Sequence, residues 1–308
     1  TPIKSSAASD VYKRQEEGSH ILCTEDLYGG TVRMFESIGE KRGVTFSYVD
    51  TSEIELVRKS IRKETKALYI ETPSNPTMKV TDFAAMRKIA DEYGLLIIAD
   101  NTFLTPYFQK PLTLGADLVV HSGTKFLGGH NDVLAGFACI KGKGLSEKLR
   151  YTYKTVGCCL PPFDSFLVLR GIKTLSVRLE RQQENAKKIA LWLKDRPEVK
   201  AVYYTGLPEH PGYEINQKQA SGCGSMISFK VDSEKRARKL LESVKLISYA
   251  ESLGGVESLI TYPMLQTHGD VPVETRERLG ITEDFLRMSV GIENAEDLIA
   301  DLEQALAE

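Results

Sequence analysis

The chain has 308 residues, 42% of them hydrophobic and 27% charged, the mix of a soluble globular protein long enough for two domains. Lys and Arg number 40 against 42 Asp and Glu, a net charge of −2, so no global field draws it to nucleic acid or anionic lipid. No apolar run approaches the ~18–20 residues of a membrane span. The five cysteines (Cys23, Cys139, Cys158, Cys159 and Cys223) form no CxxC pair and leave an odd one, which argues against a disulfide framework or zinc ribbon and fits a reducing cytoplasm.

Residues 1–14, TPIKSSAASDVYKR, carry no apolar periodicity and no signal-peptide core, and read as an unrelated leader or tail. From SHILCTEDL onward strands and helices alternate. GVTFSYVD (43–50), KALYIE (66–71), LLIIAD (95–100), ADLVVHS (116–122) and AGFACIKG (135–142) read as strands. SEIELVRKSIRK (52–63) and DFAAMRKIADEYG (82–94) have helical spacing, the second stopped by Gly94. The run LLIIAD is apolar throughout, as expected of a strand covered on both faces. Strands joined through helices imply a mostly parallel sheet, an α/β arrangement.

After Pro161 the pattern changes. Residues 165–196 keep apolar residues at helical spacing, with a break expected near Gly171. Shorter pieces of antiparallel character follow: VKAVYYTG, SMISFKVD, a helix over 233–244, LISYAESLGG and FLRMSVGIE. A helix, AEDLIADLEQALA, closes the chain. The division expected is 1–14 leader, 15–160 large domain, 161–195 connecting helix, and 196–308 a smaller C-terminal α+β domain.

Ligands of open parallel sheets sit at the carboxyl ends of strands. Three such ends carry polar groups here. Asp100 ends LLIIAD and precedes Asn101 and Thr102; Asn75 lies in the loop after ALYIE; Ser122, Thr124 and Lys125 follow LVVHS. Alone, each is an ordinary turn residue or cap. Together they have a chemical logic. A lysine in a shielded cleft can attack an aldehyde. A buried carboxylate can hold a pyridine nitrogen protonated. Hydroxyls with backbone N–H groups can hold a phosphate. Tyr28, in the glycine-rich turn DLYGGT, can lie over a flat cofactor. These parts describe a pyridoxal phosphate site.

ETPSNPTMKVTD, LIIADNTFLTPYFQKPLTLGADLVVHSGTKFLGGHNDVLAG, AESLGGVESLITYP and LRMSVGIENAEDLIADLEQAL resemble the Cys/Met-metabolism family of pyridoxal-phosphate enzymes, over about residues 16–308. That family includes cystathionine γ-synthase, cystathionine γ- and β-lyases, methionine γ-lyase and O-acetylhomoserine sulfhydrylase. The resemblance implies the fold-type I architecture and a homotetramer whose subunits share sites. Residue by residue, it makes Lys125 the Schiff-base lysine and Asp100 the partner of the pyridine nitrogen. Tyr28 becomes the stacking tyrosine and a candidate acid/base toward the leaving group, and Asn75 the neighbour of the cofactor's phenolic oxygen. Ser122 and Thr124 become the phosphate-binding pair, with Thr102 beside the ring. Arg287, in LRMSVG, becomes the clamp for the substrate α-carboxylate, helped by Ser252; without the resemblance it reads as a surface residue. Glu251 matches a position associated with γ-type chemistry. Gly30 stands where methionine γ-lyases tend to carry a reactive Cys.

The family normally has a longer N-terminal segment, with a Tyr-x-Arg arm and a helix N-terminus that bind the phosphate; neither is found here, so the chain reads as N-terminally truncated. The expectation is a cytoplasmic transsulfuration enzyme acting on cystathionine-type amino acids by γ-elimination or replacement. A cystathionine β-lyase and a non-catalytic truncated remnant are the alternatives. His121, His130 and Asp132 fit no common zinc spacing, so no metal is expected. Cys158, Cys159 and Trp192 read as packing residues.

Overall fold

The computed structural model describes residues 18–307 apart from 268 and 270. The leader expected over residues 1–14 lies outside the described residues. Two sheets organise the rest. The first has six strands: β1 (His20–Thr24), β2 (Thr45–Val49), β3 (Thr65–Glu71), β4 (Leu96–Asp100), β5 (Leu118–Ser122) and β6 (Gly136–Ile140), in the spatial order β2-β1-β3-β4-β5-β6. The first five run parallel, and β6 turns back antiparallel on β5.

The period of two along a strand sorts the core into two layers. Ile21, Cys23, Ala67 and Tyr69 face one side with Leu27, Met34 and Phe35, where Phe35 meets the Tyr69 ring edge-on at 5.2 Å. Leu22, Leu68, Ile70, Ile97 and Ala99 face the other side and meet Phe83, Met86, Ile89 and Ala90 of the helix Phe83–Tyr93. That helix starts where Asp82 Oδ1 accepts the Ala84 and Ala85 N–H groups, and ends at Gly94 with φ of 66°. The long apolar spacing after Pro161 becomes two helices, Pro162–Ile172 and Leu175–Lys194, broken just past Gly171. A Cβ on Gly171 would stand 2.2 Å from the Gly128 carbonyl oxygen, so this helix presses on the turn after β5.

The second sheet joins β7 (Val199–Tyr203), β8 (Met226–Val231), β9 (Ser248–Tyr249), β10 (Leu259–Thr261) and β11 (Phe285–Ser289) in the order β7-β8-β11-β10-β9. It is antiparallel except at β9–β10. Ile227, Phe229, Leu286 and Met288 pack there against Ile189 and Leu193 of the long helix and Leu298 and Leu302 of the helix Ala295–Ala307. Two expectations change in detail. LISYAESLGG contributes only the two-residue β9, which pairs parallel to β10 rather than antiparallel, and Gly254 with φ of 78° turns in the loop that follows. The paired strand is the short LIT of β10.

Candidate active site

The ten residues given cofactor, catalytic or substrate roles from the sequence line one cavity of about 470 Å³: Tyr28, Asn75, Asp100, Thr102, Ser122, Thr124, Lys125, Glu251, Ser252 and Arg287. It lies at the carboxyl ends of the parallel strands, roofed by the loop before β10 and by β11.

Asp100 is the last residue of β4. One of its carboxylate oxygens accepts the Thr102 N–H at 3.0 Å and the Thr102 hydroxyl at 2.6 Å. The same hydroxyl oxygen accepts the Ser122 N–H at 2.9 Å, so Thr102 ties the ends of β4 and β5 together. Burial pushes the Asp100 carboxyl up from the usual carboxylate range, against the pull of the Thr102 bonds. A protonated ring nitrogen placed against Asp100 would relieve that cost.

Lys125 follows in a π-type turn, Gly123–Leu127, with φ −91° and ψ −126°, outside the helical region. This break aims its side chain into the cavity, where Nζ donates to Ser252 Oγ at 3.3 Å. Thr124 secures the turn: its hydroxyl accepts the Ala135 N–H at 3.0 Å. Gly123 is required here, because a Cβ would stand 2.5 Å from the Phe137 ring.

Tyr28 precedes the helix Gly29–Met34, and no side chain caps that helix at Tyr28. Its N–H is held by Glu71 Oε2 at 3.0 Å. The ring folds back over Gly30, where a Cβ would come within 2.4 Å of Tyr28 Cε1. A larger residue at position 30 would have to displace the Tyr28 ring from this position. Burial first, then the charge of Glu251, raises the Tyr28 phenol above its ordinary value, so it keeps its proton at neutral pH.

Arg287 comes from β11 and is 1% exposed. Nη1 donates to Asn75 Oδ1 at 2.7 Å, and Nη2 to Thr261 Oγ1 at 3.1 Å and the Glu251 carbonyl oxygen at 3.5 Å. Nε is buried with no partner among the described residues. Burial holds the guanidinium down at about 10, and the nearby Glu251 carboxylate works against that fall. A buried cation with an unanswered donor suits an anionic group such as a carboxylate. Asn75, expected near the cofactor's phenolic oxygen, spends its side-chain oxygen on Arg287.

Four polar lining residues escape sequence reasoning: Glu71, Thr31, Asn131 and Thr267. Glu71 is the last residue of β3 and stands in register beside Asp100. Aligning the ends of ALYIE and LIIAD would have found it. Asn131 accepts the Ser252 hydroxyl at 3.4 Å and donates to Glu257 at 2.9 Å. Among the described residues no cluster of three or more His, Cys, Asp or Glu could hold a metal ion.

The donor set fits pyridoxal phosphate: a buried acid for the ring nitrogen, an amine for the aldehyde, and hydroxyls at the turn after β5. The sequence model of the Cys/Met metabolism PLP-dependent enzymes matches residues 4–307. The chain belongs to this family. Among its relatives, a cystathionine gamma-lyase of Bacillus subtilis (strain 168) is 50% identical over 289 residues, 94% of this chain and 76% of the relative. A cystathionine beta-lyase of Coxiella burnetii is 46% identical over 303 residues, covering 97% and 78%. The crystal structure of a cystathionine gamma-lyase from Lactobacillus plantarum, complexed with L-serine, superposes with a TM-score of 0.96 at 43% identity, covering 98% of this chain and 80% of that one. The chain is thus a PLP-dependent enzyme of fold type I, with the chemistry of carbon–sulfur lyases and transferases.

Proposed function

We propose that this enzyme breaks or makes the carbon–sulfur bond of cystathionine-type amino acids by γ-elimination or replacement, as a γ-lyase or γ-synthase. The observation that carries the reading is the meeting of Lys125, Asp100, Tyr28 and Arg287 in one cavity, with Glu251 at its mouth. Pyridoxal phosphate, when bound, supplies an electron sink conjugated to the substrate's Cα.

The chain's residues do the rest. Arg287 holds the α-carboxylate through the unpartnered Nε, joined by Nη2 once substrate takes the place of its long 3.5 Å bond to the Glu251 carbonyl. That anchor fixes which bond at Cα faces Lys125. Lys125, steadied by Ser252, carries the proton at Cα. Tyr28, protonated at neutral pH, serves as the acid toward the departing sulfur. Asp100, held by Thr102, keeps the ring nitrogen protonated. Ser122 and Thr124 hold phosphate oxygens.

A second reading, β-elimination, draws support from the beta-lyase relative at 46% identity. A homo-oligomer accords with an apolar face on the helix Pro162–Ile172 and the residues after it: Phe163, Phe166, Leu169 and Val177 are exposed, and only Val168 and Gly171 of that helix are buried. A cytoplasmic setting accords with five free cysteines. Among the described residues no helix is long and apolar enough to cross a membrane.

Incubation with cystathionine and identification of the keto acid tests the reading. 2-Oxobutyrate is the expected product; pyruvate would establish the β-reading instead. Lys125→Ala is expected to abolish both turnover and the cofactor's lysine-linked absorbance, and a variant with an unchanged spectrum would remove Lys125 from its role.

A further inference from the structure

Glu71 and Asp100 end neighbouring parallel strands and stand directly opposite each other. Strands in a sheet are ~5 Å apart, and residues opposite in register put their side chains on the same face. Both line the cavity. Glu71 is buried, with its N–H donated to the Thr24 hydroxyl at 3.2 Å and Oε2 accepting the Tyr28 N–H.

The charged and titratable groups around Glu71 are Asp100 on β4, Asp26 and Tyr28 after β1, Tyr69 on β3, and Arg287 on β11. Arg287 is the cation among them, and its two terminal nitrogens are already engaged by Asn75, Thr261 and the Glu251 carbonyl. Arg287 acts on Glu71 and not on Asp100, and the Lys125 amine lines the same cavity; two adjacent buried carboxylates in this setting do not both ionise at neutral pH. The hydrogen bonds decide which keeps the proton. Asp100 accepts a backbone N–H and a hydroxyl from Thr102, two donors that stabilise its anion. Glu71 accepts the single N–H of Tyr28 through one oxygen. Burial and the Asp100 charge push the Glu71 carboxyl well up, in agreement.

We propose that Glu71 is a positioning residue which, as a neutral acid, anchors the Tyr28 backbone and leaves Asp100 as the anion of the pair. The anchor matters because Tyr28 is followed by Gly29 and Gly30, and no side chain caps the helix they begin. The proposal rests on Asp100 being the partner of the ring nitrogen.

Gln keeps an oxygen acceptor at the same reach without a charge, so it imitates the neutral acid; Ala removes the anchor. Glu71→Ala is expected to lower kcat by ~10-fold or more, the loss of one buried hydrogen bond, with KM for the amino acid little changed. Glu71→Gln is expected to restore kcat to within ~3-fold of the natural enzyme, the size of a hydrogen bond exchanged for a like one. Infrared spectra of the cofactor-loaded protein at neutral pH should show a protonated carboxyl stretch that Glu71→Gln removes. A Glu71→Gln enzyme as impaired as Glu71→Ala, or one that keeps the whole protonated-carboxyl band, overturns the proposal. So does a Glu71→Ala enzyme with undiminished kcat. Asp100→Asn is measured in parallel: natural turnover in that variant sinks the assignment of Asp100 itself, while the Ala and Gln pair still decides whether Glu71 anchors Tyr28.

Discussion

Arg287→Lys isolates the shape of the carboxylate clamp from its charge. The natural side chain is buried and directs donors in three directions: to Asn75, to Thr261 with the Glu251 carbonyl, and through Nε toward an unmet partner. With its pKa near 10 the guanidinium is still fully charged at neutral pH. A lysine would keep one positive charge, but a compact ammonium cannot satisfy Asn75 and Thr261 and still present two parallel donors to a substrate carboxylate. Each hydrogen bond to a charged group contributes roughly 1.5–3 kcal/mol. Losing one of the two to substrate therefore costs about 2 kcal/mol, or ~30-fold in kcat/KM. The carboxylate is held equally before and during the reaction, so the loss should appear in KM, with kcat nearly kept. Steady-state kinetics with an amino-acid substrate, beside an equilibrium titration with pyridoxal phosphate, separates the outcomes. An unchanged KM refutes the clamp. Loss of cofactor affinity at constant KM would instead put Arg287 on the phosphate.

Asp100→Asn removes the anion that answers the ring nitrogen but keeps the size and the Thr102 bonds. Its kcat should fall ~10²–10³-fold, the effect of deleting one preorganised electrostatic group, while a urea midpoint close to the natural one would show the fold intact; undiminished kcat would reduce Asp100 to a strand cap. Acid stability should depend on His20, which is buried, is bonded to the Thr65 hydroxyl at 2.8 Å, and is held by burial at about 4 against an ordinary 6.5. The unfolded chain takes up this proton near pH 6.5 and the folded chain only near pH 4, so acidification through that window favours unfolding by up to roughly 3 kcal/mol. In His20→Asn this contribution should vanish, and the difference in urea midpoints between the two proteins should change across the same window; a pH-independent difference would contradict the buried neutral imidazole.

The parallel sheet was legible because its strands are nearly all apolar and its turns carry Pro, Gly and Asn at their ends. ALYIE, LLIIAD and LVVHS could be read as strands from those runs alone, and the polar residues just after them stand at the cavity for the same reason. Arg287 gave no local signal. It interrupts the apolar run FLRMS, yet it is buried, and only the neighbours brought by β10 and by the Asn75 loop explain how a cation is tolerated there. Glu71 was hidden differently: a glutamate before Thr-Pro reads as the first residue of a turn, and its partnership with Asp100 exists only through strand register. Helix Lys143–Val156 was missed although Leu145, Leu149, Tyr153 and Val156 recur at helical spacing; none of its residues is buried in the chain. The strand expected in LISYAESLGG shrank to Ser248 and Tyr249, because residues 250–255 form the loop that lines the cavity with Glu251 and Ser252.

The strand order explains why the cavity lies where it does. From β1 the chain goes outward to β2, then returns past β1 to β3 and continues the other way through β4 and β5. The loops leaving β1 and β3 therefore diverge, and a crevice opens between them at the carboxyl edge. The Tyr28 turn follows β1 on one side, and on the other Glu71 ends β3 and Asn75 follows it. The Glu71–Tyr28 bond crosses this crevice, and the Asn75–Arg287 bond leads from it to the second sheet. On the roles proposed above, the parallel sheet supplies the groups that face the cofactor, and the antiparallel sheet supplies the donors for the substrate carboxylate. Asn75 then joins the two functions, since the residue that fixes Arg287 stands only four positions beyond the one that fixes Tyr28. Substrate anchoring and leaving-group protonation are thus set by a single turn, Glu71 to Asn75. A displacement of that turn should disturb KM and kcat together, whereas Arg287→Lys should reach KM alone.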